Sequence, residues 1–196
     1  MPNSYNMSNI VIIGNGIAGI TAARHVRKLD SKAKITVISK ETDYFFSRTA
    51  LMYIYMGHMR FKDTQPYEPF FWKKNRIDLV KAYVNQVDFN SQTLSLDNGE
   101  KMAYDKLVIA TGSTPNKFGW PGQDLEGVQG LYSYQDLELL EKNTTDHPVE
   151  RAVIIGGGLI GVELAEMLNY RNVKVTFLVR ENRFWGGVLP KEEGDM

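Results

Sequence analysis

The chain has no cysteine in its 196 residues. Structural disulfides, thiolate metal sites and cysteine redox chemistry are therefore excluded for these residues. Histidine is scarce: His25, His58 and His147 stand far apart, without metal-ligand spacing. Neither charge sign is in excess, with 23 basic against 23 acidic residues, and nothing points to nucleic acid or an anionic membrane as partner. Long hydrophobic runs are missing too. The first, Ile10–Ile13, is too short for a secretion signal, and no stretch approaches the roughly 18 apolar residues of a membrane span. A cytoplasmic location is the default expectation. What remains, 43% hydrophobic and 23% charged, is ordinary for a globular protein with a real core.

What is present is a repeat. Residues 10–42 read IVIIGNGIAGITAARHVRKLDSKAKITVISKET, and residues 152–182 read AVIIGGGLIGVELAEMLNYRNVKVTFLVREN. Each copy is a short β-branched run, a glycine-rich turn, a stretch of helical period and a second strand-like run, which predicts βαβ twice. In the second copy Leu164, Met167 and Leu168 fall on one helical face. Between the copies, residues 43–76 are aromatic and Met-rich, predicting short helices and loops. LVKAYVNQVDF, QTLSL and KMAY predict strands, with a hairpin turn at Asp97-Asn98-Gly99. Leu107–Ala110 reads as a buried parallel strand. Residues 115–131 form a crossover linker and 134–142 a short helix. The fold class is α/β: a Rossmann-like domain over residues 1–115, with a parallel sheet and a β-meander in three layers. Residues 116–150 form the crossover, and 151–196 begin a second Rossmann-like domain.

The first glycine loop is Gly14-Asn15-Gly16-Ile17-Ala18-Gly19. A dinucleotide pyrophosphate needs main-chain N–H groups at a helix N-terminus with no side chain in the way. Gly14 allows the turn, Gly16 the approach of phosphate, and Gly19 the packing of helix on strand. The next strand ends at Ser39, where such folds often carry an acid. Glu41, two residues on, either reaches the ribose hydroxyls or is a solvated surface charge.

With Leu107-Val108-Ile109-Ala110-Thr111-Gly112 between two glycine loops, the chain resembles the two-dinucleotide-binding flavoproteins. These include the pyridine nucleotide–disulfide oxidoreductases and the cysteine-free ferredoxin, rubredoxin and nitrite reductase branch. The resemblance implies FAD on Gly14, Gly16, Ile17, Ala18 and Gly19, Thr111 and Gly112 beside the flavin, and the Val84 backbone at the adenine. Ser47 and Arg48 follow an aromatic run as in that branch's Ser-Arg-Pro segment. Arg48 either brings positive charge to the cofactor or forms a solvent-facing ion pair. It further implies NAD(P)H on Gly156, Gly158, Leu159, Ile160 and Gly161. Glu163 is either a carboxylate placed by the helix dipole or a neighbour of the nicotinamide. Beyond the second strand stand Val179, Arg180 and Glu181: Arg180 suits a 2′-phosphate, Glu181 a 2′-hydroxyl, and the choice between NADPH and NADH stays open.

The implied activity is hydride transfer from NAD(P)H to FAD, then direct transfer to a small-molecule or redox-protein acceptor, without a thiol relay. A non-catalytic flavin-binding redox sensor is the alternative, and a single-cofactor NAD(P) dehydrogenase the weaker third. The family's returning Gly-Asp segment and C-terminal interface domain are not found before Met196, so the chain is expected to be the N-terminal part of a longer protein. Val175–Val179 is then an exposed strand through which two copies can pair as a homodimer.

Overall fold

The computed structural model describes residues 7–145, 149–183 and 185–195; His147, Phe184 and Met196 lie outside these. The elements run β1 (Asn9–Ile13), α1 (Ile17–Leu29), β2 (Lys34–Ser39), α2 (Leu51–Tyr55), α3 (Pro69–Lys74), β3 (Ile77–Lys81), β4 (Val84–Asp88), β5 (Thr93–Leu96) and β6 (Lys101–Ala103). They continue with β7 (Lys106–Ile109), α4 (Tyr134–Thr145), β8 (Arg151–Ile155), α5 (Leu159–Tyr170), β9 (Lys174–Leu178) and α6 (Lys191–Gly194). The chain divides into two compact units, one of residues 1–47 and 61–114, the other of residues 48–60 and 115–196.

In the first unit, β1, β2, β3 and β7 form a parallel sheet in the order β3-β2-β1-β7. The strands are β-branched on both faces, so both must be covered. Ile10, Ile12, Ile35 and Val37 share one cluster with Ile20 and Ala23 of α1 and Trp72 of α3. Val11 and Ile38 point the other way and pack with Leu94, Leu96 and Tyr104 of the antiparallel meander β4-β5-β6. Helices, sheet and meander thus make three layers. Each fully buried aliphatic side chain contributes about 1.5–3 kcal/mol. The Asn-Gly turn closes the β5–β6 hairpin, with Gly99 at φ +85°.

Two expectations differ from the structure. The run LVKAYVNQVDF is broken at Ala82-Tyr83: β3 pairs in parallel with β2, whereas β4 pairs antiparallel with β5, and one straight strand cannot serve both partners. Leu107–Ala110 is parallel to β1 as expected but not buried, because β7 is the outer strand; Ile109 is 58% exposed.

In the second unit α5 lies over the parallel pair β8-β9, burying Met167 and Leu168 with Leu164 half-buried. The α2 segment packs against α4 and α5. Tyr55 is the clamp. Its ring is fully buried, its hydroxyl meets Thr144 Oγ1 at 3.0 Å, and Arg171 Nε donates to its carbonyl oxygen at 2.8 Å. The Arg171 guanidinium also lies 3.8 Å from the Tyr55 ring centroid and is ion-paired to Glu141 at 3.2 Å.

A side chain at Gly19 would collide with the Gly14 carbonyl oxygen, whereas one at Gly16 meets nothing within 4 Å. Gly19→Ala is therefore expected to destabilise the chain by about 3 kcal/mol, the upper end of overpacking costs. Gly16→Ala should cost no more than about 1 kcal/mol. Urea denaturation of the two variants checks the difference; equal costs would show that the helix–strand approach is not tight.

Candidate functional site

Parallel strands bring their C-terminal ends to one edge, where ligands of open α/β sheets bind. The first glycine loop follows β1 at that edge. Gly14 has φ +110°, and its N–H donates to the Ile38 carbonyl at 2.7 Å. A side chain on Gly14 would strike the Ala110 carbonyl oxygen, so β7 and the Ala110-Thr111-Gly112 segment pass directly against the loop. Gly16 caps α1 in extended conformation, φ −72° and ψ −177°. The first helical bond is Ile20 N–H to the Gly16 carbonyl at 3.0 Å. The N–H groups of Ile17, Ala18 and Gly19 therefore have no helical acceptor and carry the positive end of the helix dipole. Ile17 is 71% exposed at this mouth. The three glycines thus differ: Gly14 and Gly19 are required by the protein's own packing, and Gly16 is not.

The second loop repeats the geometry almost bond for bond. Gly156 has φ +113° and donates to the Leu178 carbonyl at 2.9 Å. Gly158 caps α5 at ψ −178° with nothing within 4 Å of a would-be side chain. Val162 N–H reaches the Gly158 carbonyl at 3.3 Å, and a Cβ on Gly161 would stand 2.9 Å from the Gly156 carbonyl oxygen. Leu159 and Ile160, 56% and 59% exposed, open the helix as Ile17 does in the first copy.

Around the first loop, Ser39 ends β2, and its Oγ accepts from Glu41 N–H at 3.2 Å, folding the Lys40–Thr42 segment into a turn. Glu41 is half-buried beside that turn. Asn15, the residue between the first two glycines, is buried and donates to the Thr42 carbonyl at 2.9 Å. It ties the loop after β2 to the glycine loop. The Lys40 ammonium lies 4.7 Å from the Tyr83 ring centroid, linking the ends of β2 and β3. Asn15, Lys40 and Tyr83 were not singled out from sequence; an amide inside a glycine loop is the one local sign that marked Asn15. Val84 starts β4 half-buried against the meander cluster, and Thr111 and Gly112 (φ +72°) are exposed beyond β7.

For Arg48 and Glu163 the structure removes one of the two readings each. Arg48 belongs to the second unit, where it donates to the Tyr132 carbonyl at 2.6 Å with its guanidinium 4.4 Å from the Tyr132 ring centroid. It is half-buried, not a solvent-facing group. Because α5 begins at Leu159, Glu163 lies beyond its first turn and is exposed, so the dipole explanation lapses; that effect fades within the first turn.

At the end of β9 the two opposed candidates hold each other: Arg180 Nη2 is 3.1 Å from Glu181 Oε1, with the Arg180 side chain 93% exposed. The Glu181 carboxyl is held below the usual range, first by its own main-chain N–H and then by Arg180. A cavity of about 490 Å³ opens here, lined in part by Glu181, Arg183, Gly186 and Lys191.

Asn15→Ala removes the buried link to Thr42 and leaves that carbonyl unpaired, an expected loss of about 1–3 kcal/mol. Thermal unfolding measures it, and hydrogen exchange should quicken in residues 40–44. Unchanged exchange there would show that Asn15 does not hold the loop.

Among the described residues no helix is long and apolar enough to cross a membrane. Residues 8–196 match the model of the pyridine nucleotide-disulphide oxidoreductase family. The ferredoxin reductase component of chlorobenzene dioxygenase from Cupriavidus sp. is 32% identical over 95% of this chain. Among solved structures, NADH:rubredoxin oxidoreductase from Clostridium acetobutylicum superposes with TM-score 0.82 at 28% identity over 96% of the chain. A NAD-dependent persulfide reductase from A. fulgidus gives 0.85 at 31% over 94%. The chain spans 45%, 49% and 36% of those three proteins respectively. With both glycine loops in place and the match running through them, the chain belongs to the pyridine nucleotide-disulphide oxidoreductase family.

Proposed function

We propose that this chain provides the FAD-binding half, and the first βαβ unit of the nicotinamide-binding half, of a flavoprotein NAD(P)H oxidoreductase. The observation that carries this reading is the openness at Gly16 and Gly158. Each is the one glycine of its triplet at which neither a steric clash nor a positive φ demands glycine, directly before main-chain N–H groups lacking helical acceptors. A pyrophosphate fits such a place. Gly14, Gly16, Ile17, Ala18 and Gly19 hold the FAD pyrophosphate in this reading, with Ser39 or Glu41 toward the ribose, Val84 toward the adenine, and Thr111 and Gly112 toward the flavin. Arg48 remains the candidate for positive charge near the cofactor. Gly156, Gly158, Leu159, Ile160 and Gly161 hold the nicotinamide dinucleotide, with Glu163 and Arg180 along it.

When bound, FAD accepts hydride from NAD(P)H and releases electrons singly or in pairs. No cysteine of this chain can relay them. They pass to a separate acceptor, a small redox protein or small molecule, as the names of the ferredoxin and rubredoxin reductases suggest. A cytoplasmic location and a homodimer belong to the same reading.

Gly16→Val is the direct test. The fold has room for the side chain and the pyrophosphate does not, so flavin content after purification should fall at least about tenfold while the melting temperature holds. Wild-type flavin content would remove the assignment. Anaerobic bleaching of the yellow protein by NADH or NADPH separates a reductase from a non-catalytic flavin-binding module, which stays yellow.

Arg180→Ala should weaken NADPH binding about tenfold and NADH little, because a charge-assisted contact to the 2′-phosphate is lost. Glu181→Gln should shift preference toward NADPH. Equal effects on both cofactors would end this role for the pair.

A further inference from the structure

The first unit carries a second cationic feature at the sheet edge opposite the glycine loop. α1 starts at Gly16 and runs about 20 Å before its last turns. There a cavity of about 160 Å³ is lined by Arg24, Arg27, Lys28, Phe71, Asn75 and Ile77. Lys73, Lys74 and Arg76 stand at the end of α3 and the turn into β3, the same segment that supplies Asn75 and Ile77. None of Arg24, Lys28, Lys73, Lys74 and Arg76 forms an ion pair among the described residues.

Arg27 has a structural role. Its guanidinium donates to the carbonyls of Asn75 at 2.8 Å, Arg76 at 2.7 Å, and Asp30 and Ser31, each at 3.1 Å. Two acids belong to this neighbourhood, Asp30 and Asp78. Asp30 Oδ1 accepts from the N–H groups of Lys32 and Ala33, and Asp78 acts on Arg27. Arg24 is different. Half-buried, its guanidinium lies 5.2 Å from the Tyr67 ring centroid, and Tyr67 is itself stacked on Phe71. A guanidinium held over a ring keeps its edge N–H donors for a planar or tetrahedral anion. Lys28 stands one turn further on the same helix face, an i,i+4 like-charge pair that costs helix stability unless an anion joins it.

We infer that the Arg24–Lys28 face, with its cavity against Phe71 and Asn75, is a binding site for a dianionic phosphoryl group. The shared chemistry is that of inorganic phosphate and of the phosphate of a nucleoside monophosphate. Arg24 donates in fork geometry and Lys28 supplies the point charge. The site is separate from the proposed FAD site, since it lies at the other end of α1.

Calorimetric titration of the full chain with inorganic phosphate, and separately with adenosine monophosphate, tests this. Four proteins are compared: wild type, Arg24→Gln/Lys28→Gln, Gly16→Val and Gly158→Val. Both glutamines keep good helix propensity, and circular dichroism confirms that the double variant is folded. Phosphate binding should weaken at least about tenfold in the double variant and persist in both glycine variants. Tighter binding of adenosine monophosphate than phosphate, again lost in the double variant, identifies a nucleotide ligand; equal affinity identifies phosphate itself. Binding that is unchanged in Arg24→Gln/Lys28→Gln, or abolished by the glycine substitutions, or absent from wild type at millimolar phosphate, overturns the inference. Failure of flavin binding in Gly16→Val leaves it standing, so the two readings fall separately.

Discussion

The approach of the third glycine of each loop to the carbonyl of the first is the constraint on which the rest depends. Only without a side chain can α1 come down on β1 at Gly19, and α5 on β8 at Gly161. That closeness sets the helix start directly above the strand end. It also forces the first glycine into φ near +110°, a conformation costly for any other residue. Once those two positions are fixed, the middle glycine has no packing role, and its emptiness becomes a property of the surface. The same backbone geometry appears in two stretches 142 positions apart, from Gly14 to Gly156, although the aliphatic pairs Ile17-Ala18 and Leu159-Ile160 differ in identity and size. Geometry, not side-chain identity, is what the two copies have in common.

The copies differ in what presses on the loop. In the first, the carbonyl of Ala110 lies where a Gly14 side chain would stand, and Ala110 N–H donates to Ile13 at 2.8 Å. In the second, nothing lies within 4 Å of where a Gly156 side chain would stand. The first loop is also tied sideways by Asn15 to Thr42. A phosphate site gains from such pre-ordering, because N–H groups already aimed outward lose little entropy when the anion arrives. The first loop is accordingly the more tightly tied of the two.

Much of this was legible from sequence because it is local. Glycine spacing, β-branched strands and the Asn98-Gly99 turn each act within a few residues, and the two βαβ units and the β5–β6 hairpin stand where they predict. What was not legible depends on distant pairing. Nothing near residue 81 tells the run from Leu79 that it must leave one sheet and enter another; that is set by Asp97, whose main chain and carboxylate meet Tyr83. Sequence left Arg48 either near a cofactor or in a solvent-facing ion pair, and could not show its bond to the Tyr132 carbonyl, 84 positions on. Tyr55, indistinguishable in a Met- and aromatic-rich stretch, became the buried clamp through Thr144 and Arg171. Glu163 falls just beyond the first turn rather than in it because the helix start depends on how Gly158 caps it, a backbone choice that composition does not reveal.

The end of β9 shows a different limit. Sequence gave two opposed residues side by side, and the structure leaves them paired to each other rather than choosing between them. An exposed pair of this kind is weak and salt-screened. A 2′-phosphate, with more charge and more acceptor oxygens than Glu181, competes for the Arg180 guanidinium on favourable terms. A ribose diol instead needs an acceptor, and Glu181 can offer one while remaining beside Arg180. Both outcomes use the side chains as they stand, at the cost of one weak contact or none. Strong discrimination requires a buried group left unsatisfied by the wrong ligand. An exposed pair that the solvent can satisfy supplies no such penalty, so in the proposed reading Arg180 and Glu181 discriminate only modestly in either direction.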